Sequence, residues 1–170
     1  MSDKPIILIV DDEAGHADVL AEALAQSGGE TIAIYDAKNA VELLSTRHID
    51  IVITDLNLHN DKINGVDILK AAKEQNPDSD VFLITAYATI ETCKEAMKSG
   101  ASDYLVKPID IDQLRAMVEK SLKKFIATGH AAKNKNGFSF DGVIGQSHAM
   151  QSVFSVLQRV SPTNITVLIE

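Results

Sequence analysis

Short apolar runs rich in β-branched residues alternate, along the first 127 residues, with longer segments whose apolar positions recur every three or four residues. The runs predict strands near 6–10, 31–35, 50–54, 81–85 and 103–106, and most are apolar on both faces, as in a parallel sheet covered by helices on each side. The intervening segments predict helices. The first, over 14–27, places Val19, Leu20, Ala23 and Leu24 on one face and stops at Gly28-Gly29. The last, over 110–126, starts after Pro108 with Asp110 or Asp112 near its N-terminus and offers Ile111, Leu114, Val118, Leu122 and Phe125 as its apolar face. Strand and helix in alternation make an α/β fold with a five-stranded parallel sheet and helices on both faces.

Composition changes near residue 128. Residues 1–127 carry 13 basic and 22 acidic side chains, whereas 128–170 carry 3 and 2. The stretch TGHAAKNKNG that follows Ala127 has almost nothing to bury and reads as an exposed linker. Three segments result: a domain at 1–127, a linker at 128–139 and a further piece at 140–170. The net charge of −8 argues against unaided binding to nucleic acid or to an anionic membrane surface, so protein partners are expected. Cys93, the single cysteine, can form no internal disulfide, and no apolar stretch approaches the roughly 20 residues of a membrane helix. A reducing cytoplasm is the expected setting.

Five residues fall just at or beyond the C-terminal ends of predicted strands, the edge where open parallel sheets gather functional groups. Asp11 and Asp12 follow the first strand, Asp55 the third, Thr85 ends the fourth and Lys107 follows the fifth. Asp11-Asp12-Glu13 has a simpler reading as a cap for the first helix. Asp55 has no helix immediately after it to cap, and Lys107 precedes Pro108, which restricts its backbone and permits a cis bond. Crowded carboxylates repel one another and favour a hard cation such as Mg²⁺ among them. With the cation, Lys107 and the Thr85 hydroxyl neutralising phosphoryl oxygens, Asp55 becomes a competent nucleophile and phosphoacceptor. Asp12, with Asp11 through water, would hold the metal, and the backbone carbonyl of Asn57 is a further ligand candidate. The five histidines have no ligand-like spacing, and His59 is read as a solvated loop residue.

Asp11-Asp12, Thr54-Asp55-Leu56, Gly65, Thr85-Ala86, Tyr104 and Lys107-Pro108 resemble, in order and spacing, the receiver domain of two-component response regulators over roughly residues 4–127. The resemblance implies a flavodoxin-like sheet of order 2-1-3-4-5, phosphorylation of Asp55 by a sensor histidine kinase, and a switch pair of Thr85 and Tyr104. One departure is visible. The family usually has a proline four residues after the acceptor and a glycine eight after it, whereas here His59 takes the proline position and Gly65 arrives ten on, making the 56–64 segment two residues longer.

Residues 140–170 resemble the opening of the AAA+ ATPase domain of NtrC-like, sigma-54-dependent activators and stop before its phosphate loop, so no nucleotide site is expected. The chain is accordingly expected to be a fragment of a longer transcriptional activator, with poorly ordered apolar residues such as Phe154 and Leu157. The same resemblance implies a homodimer through the fourth helix, fifth strand and fifth helix, to which Leu114, Met117 and Phe125 could contribute. Two other classes are a protein-binding pseudo-receiver and, less favoured, an aspartyl-phosphate hydrolase. The latter needs two aspartates separated by one residue, and Asp11 and Asp12 are adjacent. A slowly self-dephosphorylating acceptor, rather than an enzyme, is the expectation.

Overall fold

In a computed structural model that describes residues 4–58 and 62–127, five strands and five helices alternate without exception. They are β1 (Ile6–Val10), α1 (Ala14–Leu24), β2 (Glu30–Ile34), α2 (Ala37–Thr46), β3 (Ile51–Asp55), α3 (Gly65–Gln75), β4 (Asp80–Thr85), α4 (Ile90–Lys98), β5 (Asp103–Val106) and α5 (Ile111–Ala127). All pairings are parallel and the strand order is β2-β1-β3-β4-β5. The expected linker at 128–139, the 140–170 segment with Phe154 and Leu157, and His59 all lie outside the described residues.

The strand sequences explain the layering. Along β1, Ile7 and Ile9 enter one core with Leu20, Leu24, Leu114, Val118 and Phe125, while Leu8 and Val10 enter a second with Leu44, Ile68 and Leu69. The same alternation splits Ile51 and Ile53 from Val52, and Phe82 and Ile84 from Val81 and Leu83. Thus α1 and α5 cover one face of the sheet, and α2, α3 and α4 the other. Each fully buried Ile or Leu contributes about 1.5–3 kcal/mol relative to exposure, so the doubly covered sheet is the main source of stability.

Helix ends show how local sequence sets the boundaries. Asn64 accepts from the N–H groups of Val66 and Asp67 while the Asp67 carboxylate accepts from the Asn64 N–H, a reciprocal cap that starts α3. Asp110, rather than Asp112, caps α5 by accepting from the backbone of Asp112 and Gln113. Helix α1 ends at Leu24, earlier than expected, with Gly28 at φ 98° in the turn that follows.

Two expectations are corrected. Val19 is 59% exposed, because the buried face of α1 runs through Ala17, Leu20 and Leu24 and a residue next to Leu20 is turned about 100° away. Leu114 and Phe125 are core residues of α5 at 0% and 1% exposure, so neither is free to contact a second copy.

Candidate functional site

Parallel register brings the C-terminal ends of β1, β3, β4 and β5 to one edge: Val10 pairs with Thr54, Asp55 with Ile84, and Thr85 with Val106. Asp55 is the last residue of β3, and Asp11 and Lys107 follow β1 and β5 directly. Both carboxylates are buried, at 8% for Asp55 and 3% for Asp11.

Lys107 joins them. Its Nζ donates to Asp55 Oδ2 at 2.5 Å and to Asp11 Oδ2 at 3.1 Å. Burial works against the charged ammonium, but its hydrogen bonds to Asp55 and Asp11 outweigh it, and the lysine pKa is raised. The second oxygens are also held. Asp55 Oδ1 accepts from the Asn57 N–H at 2.9 Å, and Asp11 Oδ1 from the Glu13 N–H at 2.9 Å. The Lys107-Pro108 peptide is cis.

The capping alternative for the acidic triplet is not what the structure contains. Glu13 occupies the N-cap position of α1 with no side-chain cap bond, while Asp11 faces the sheet edge. Asp12 is partly exposed beside it. Of the expected metal set, Asp11 and Asp55 are brought together through Lys107, and the contact from Asn57 to Asp55 runs through its N–H rather than its carbonyl.

The backbone around Asp55 is fixed from two sides. Leu56 N–H donates to the Ile84 carbonyl at 2.7 Å, and Gly65 N–H donates to the Leu56 carbonyl at 3.0 Å. A Cβ on Gly65 would lie 2.3 Å from the Asp55 carbonyl oxygen and 2.8 Å from the Leu56 Cα, so only glycine lets α3 begin against this turn.

Thr85 is fully buried, and its hydroxyl is engaged with the Tyr87 backbone, accepting from N–H at 3.2 Å and donating to the carbonyl at 3.3 Å. Tyr104, on the edge strand β5, shares a 2.9 Å hydrogen bond with the Thr92 hydroxyl on α4. The two members of the expected switch pair therefore sit on adjacent strands with separate partners.

Sequence reasoning missed His16. Its Nδ1 lies 3.4 Å from Lys107 Nζ, 3.6 Å from Asp11 Oδ2 and 3.5 Å from Glu13 Oε1. Among the described residues, Asp11, Glu13 and His16 offer ligand atoms all within 4.8 Å of one another. The available signal was the i,i+3 relation of Glu13 and His16 at the start of α1, which sets both on the side of Asp11.

Chemically, the edge presents buried carboxylates from two strands around one ammonium, with further acidic groups at the rim. Oxygen donors in excess of cations are the chemistry that would suit a hard divalent ion, with Asp11, Asp12 and Asp55 as the residues that could hold it.

Residues 7–119 match the response regulator receiver domain family. Transcriptional regulatory protein ZraR of Escherichia coli K12 is 36% identical over 164 residues, covering 96% of this chain and 36% of the relative. Regulatory protein LuxO of Vibrio cholerae is 30% identical over 161 residues, covering 95% of this chain and 35% of LuxO. The chain thus spans about a third of the length of the curated relatives it matches. Among solved structures, NtrX from Brucella abortus in complex with ADP aligns with a TM-score of 0.66 at 30% identity, covering 95% of this chain and 35% of NtrX. A CheY-like receiver domain protein from Methanospirillum hungatei aligns with a TM-score of 0.68 at 23% identity over 74% of this chain and 99% of its own, a likeness of fold.

Proposed function

Because the chain belongs to the response regulator receiver domain family, we propose that Asp55 accepts a phosphoryl group from a sensor histidine kinase and that the change is read out on the α4–β5–α5 side. The observation that carries this is the Lys107 ammonium bound at once to Asp55 and Asp11 at the meeting of three strand ends. A carboxylate attacks phosphorus poorly while the negative charge on the phosphoryl oxygens is uncompensated. Lys107 supplies one fixed positive charge, and the Asn57 N–H orients the acceptor by holding Oδ1. In the transfer an Asp55 carboxylate oxygen forms the new P–O bond as the P–N bond to the kinase histidine breaks, and the imidazole, protonated by solvent on its other ring nitrogen, leaves as the neutral base. Mg²⁺, held by Asp11, Asp12 and Asp55 with the Asn57 carbonyl as a further donor, would neutralise phosphoryl charge. Thr85 would give up the Tyr87 backbone to bind a phosphoryl oxygen, and Tyr104 would follow.

The domain serves as an acceptor with slow self-hydrolysis rather than as a turnover enzyme. No helix among the described residues is long and apolar enough to cross a membrane. Exposed Ile90, Met97 and Val106 on α4 and β5 offer apolar area for a homodimer contact. Within a longer transcription regulator of the sigma-54-dependent type, this switch would govern output domains beyond residue 127, and this part of the chain would bind no nucleic acid itself.

Incubation with Mg²⁺ and acetyl phosphate tests the reading by intact mass. One labile phosphoryl group on the wild type and none on Asp55→Asn is expected. Absence of any adduct would favour a pseudo-receiver, and rapid release of inorganic phosphate with turnover would favour a hydrolase.

A further inference from the structure

The imidazole of His16 has no part in the acceptor chemistry, yet it stands at the same sheet edge. Its Nδ1 lies 3.4 Å from Lys107 Nζ, 3.5 Å from Glu13 Oε1 and 3.6 Å from Asp11 Oδ2. The separations from the two carboxylate oxygens are too long for good hydrogen bonds. An exposed i,i+3 pair such as Glu13–His16 also contributes little to folding, so stability does not account for the arrangement.

Lys107 shows what these donors face. A lysine ammonium only donates, so its contact with Nδ1 is attractive when that nitrogen offers its lone pair and the ring proton sits on Nε2. The ammonium is thus a cation ringed by Asp55 Oδ2 at 2.5 Å, Asp11 Oδ2 at 3.1 Å and His16 Nδ1 at 3.4 Å. Beside it, Asp11, Glu13 and His16 offer ligand atoms all within 4.8 Å of one another. Two donors about 2.0–2.2 Å from one ion stand roughly 3.0–3.6 Å apart in octahedral or tetrahedral coordination, and Nδ1 keeps that spacing from both carboxylate oxygens. Asp11 is buried and fixed through its second oxygen by the Glu13 N–H, while Glu13 and His16 lie on the solvent side, where rotamer changes are cheap.

We propose that Asp11, Glu13 and His16 form a mixed nitrogen and oxygen site for a first-row transition ion at the rim of the acceptor edge. The donor set decides the preference. Mg²⁺ takes oxygen ligands, whereas an imidazole nitrogen adds affinity for ions later in the transition series. Lys107 keeps Asp55 when Asp11 turns to the ion, and the exposure of His16 leaves the remaining coordination positions to water. The site rests on the receiver reading only in that Asp11 also serves the Mg²⁺ set, so the two ions compete.

Co²⁺ is the probe, because a bound imidazole gives hyperfine-shifted ring-proton resonances that a carboxylate cannot produce. In the full chain Co²⁺ should bind with such resonances, and Mg²⁺ should displace it poorly. His16→Ala should erase them and weaken Co²⁺ binding about ten- to a hundredfold, with Mg²⁺ affinity altered less than about threefold. Glu13→Gln should weaken Co²⁺ binding about three- to tenfold and keep the resonances. Co²⁺ bound without imidazole resonances, resonances that persist in His16→Ala, equal Co²⁺ affinity in that variant and the wild type, or Mg²⁺ affinity falling in step with that for Co²⁺ would each overturn the site. Failure to bind Co²⁺ in a chain that acetyl phosphate still labels on Asp55 would also overturn it and leave the receiver reading standing. Absence of the label, beside a Co²⁺ signal that His16→Ala removes, would instead overturn the receiver reading and leave the metal site.

Discussion

Lys107 and Asp55 lie 52 positions apart in sequence and meet at 2.5 Å, with Asp11 completing the contact from a third strand end. The lysine is 20% exposed and the two carboxylates are nearly enclosed, so removing the ammonium leaves two buried anions facing each other. Lys107→Met is expected to cost about 2–3 kcal/mol in urea unfolding, somewhat below the loss for a fully buried pair. Adding Asp55→Asn should restore a good part of it. A double-mutant coupling below about 0.5 kcal/mol would show that the contact is energetically idle.

Gly65 tests whether the position of the acceptor backbone matters apart from its charge. Since an added Cβ would meet the Asp55 carbonyl oxygen at 2.3 Å, Gly65→Ala must push α3 and the Asp55–Leu56 turn apart. We expect a loss of about 1–3 kcal/mol and slower labelling of Asp55 by acetyl phosphate in protein that remains folded. Labelling at the wild-type rate would mean that the turn yields without disturbing the acceptor.

At the opposite edge of the sheet, His48 Nε2 lies 3.3 Å from Asp50 Oδ1, and Asp50 Oδ2 accepts the Ile6 N–H at 2.8 Å. The hydrogen bond to Asp50 raises the His48 pKa above its ordinary value of 6.5, although partial burial pulls the other way. A folded-state pKa above the unfolded one means that the contribution to stability is complete below about pH 6.5 and is lost as pH climbs through the raised folded value. The urea midpoint should therefore fall as pH rises from about 6.5 through the raised folded-state value, and His48→Gln should flatten that part of the profile. An identical slope in the variant would assign the pH dependence to another group.

Much of this architecture was legible in the sequence because its strands are short, apolar and covered on both sides. Residues such as Ile7, Leu8, Ile51 and Val52 leave little choice of element, and the polar residue ending each run marks the functional edge. Asp11, Asp55, Thr85, Tyr104 and Lys107 stand out in the sequence that way or by resemblance. What escaped depends on angles around helices. Period alone does not fix the phase of a short helix, so it places Val19 in the core, and the nearness of His16 to Lys107 arises only once the start of α1 meets the turn after β5 at the sheet edge. The spacing of Leu114 and Phe125 on α5 already groups them with Val118 and Leu122 in the interior, which rules out the surface role the dimer expectation gives them.

The slight burial of α4 has an evolutionary corollary. With Ala96 as its sole enclosed side chain, folding imposes almost no veto on most of its positions. Selection for one binding partner over a close paralogue can act there with little collateral damage, making this helix the cheapest place in the domain for lineages to diverge in what they recognise.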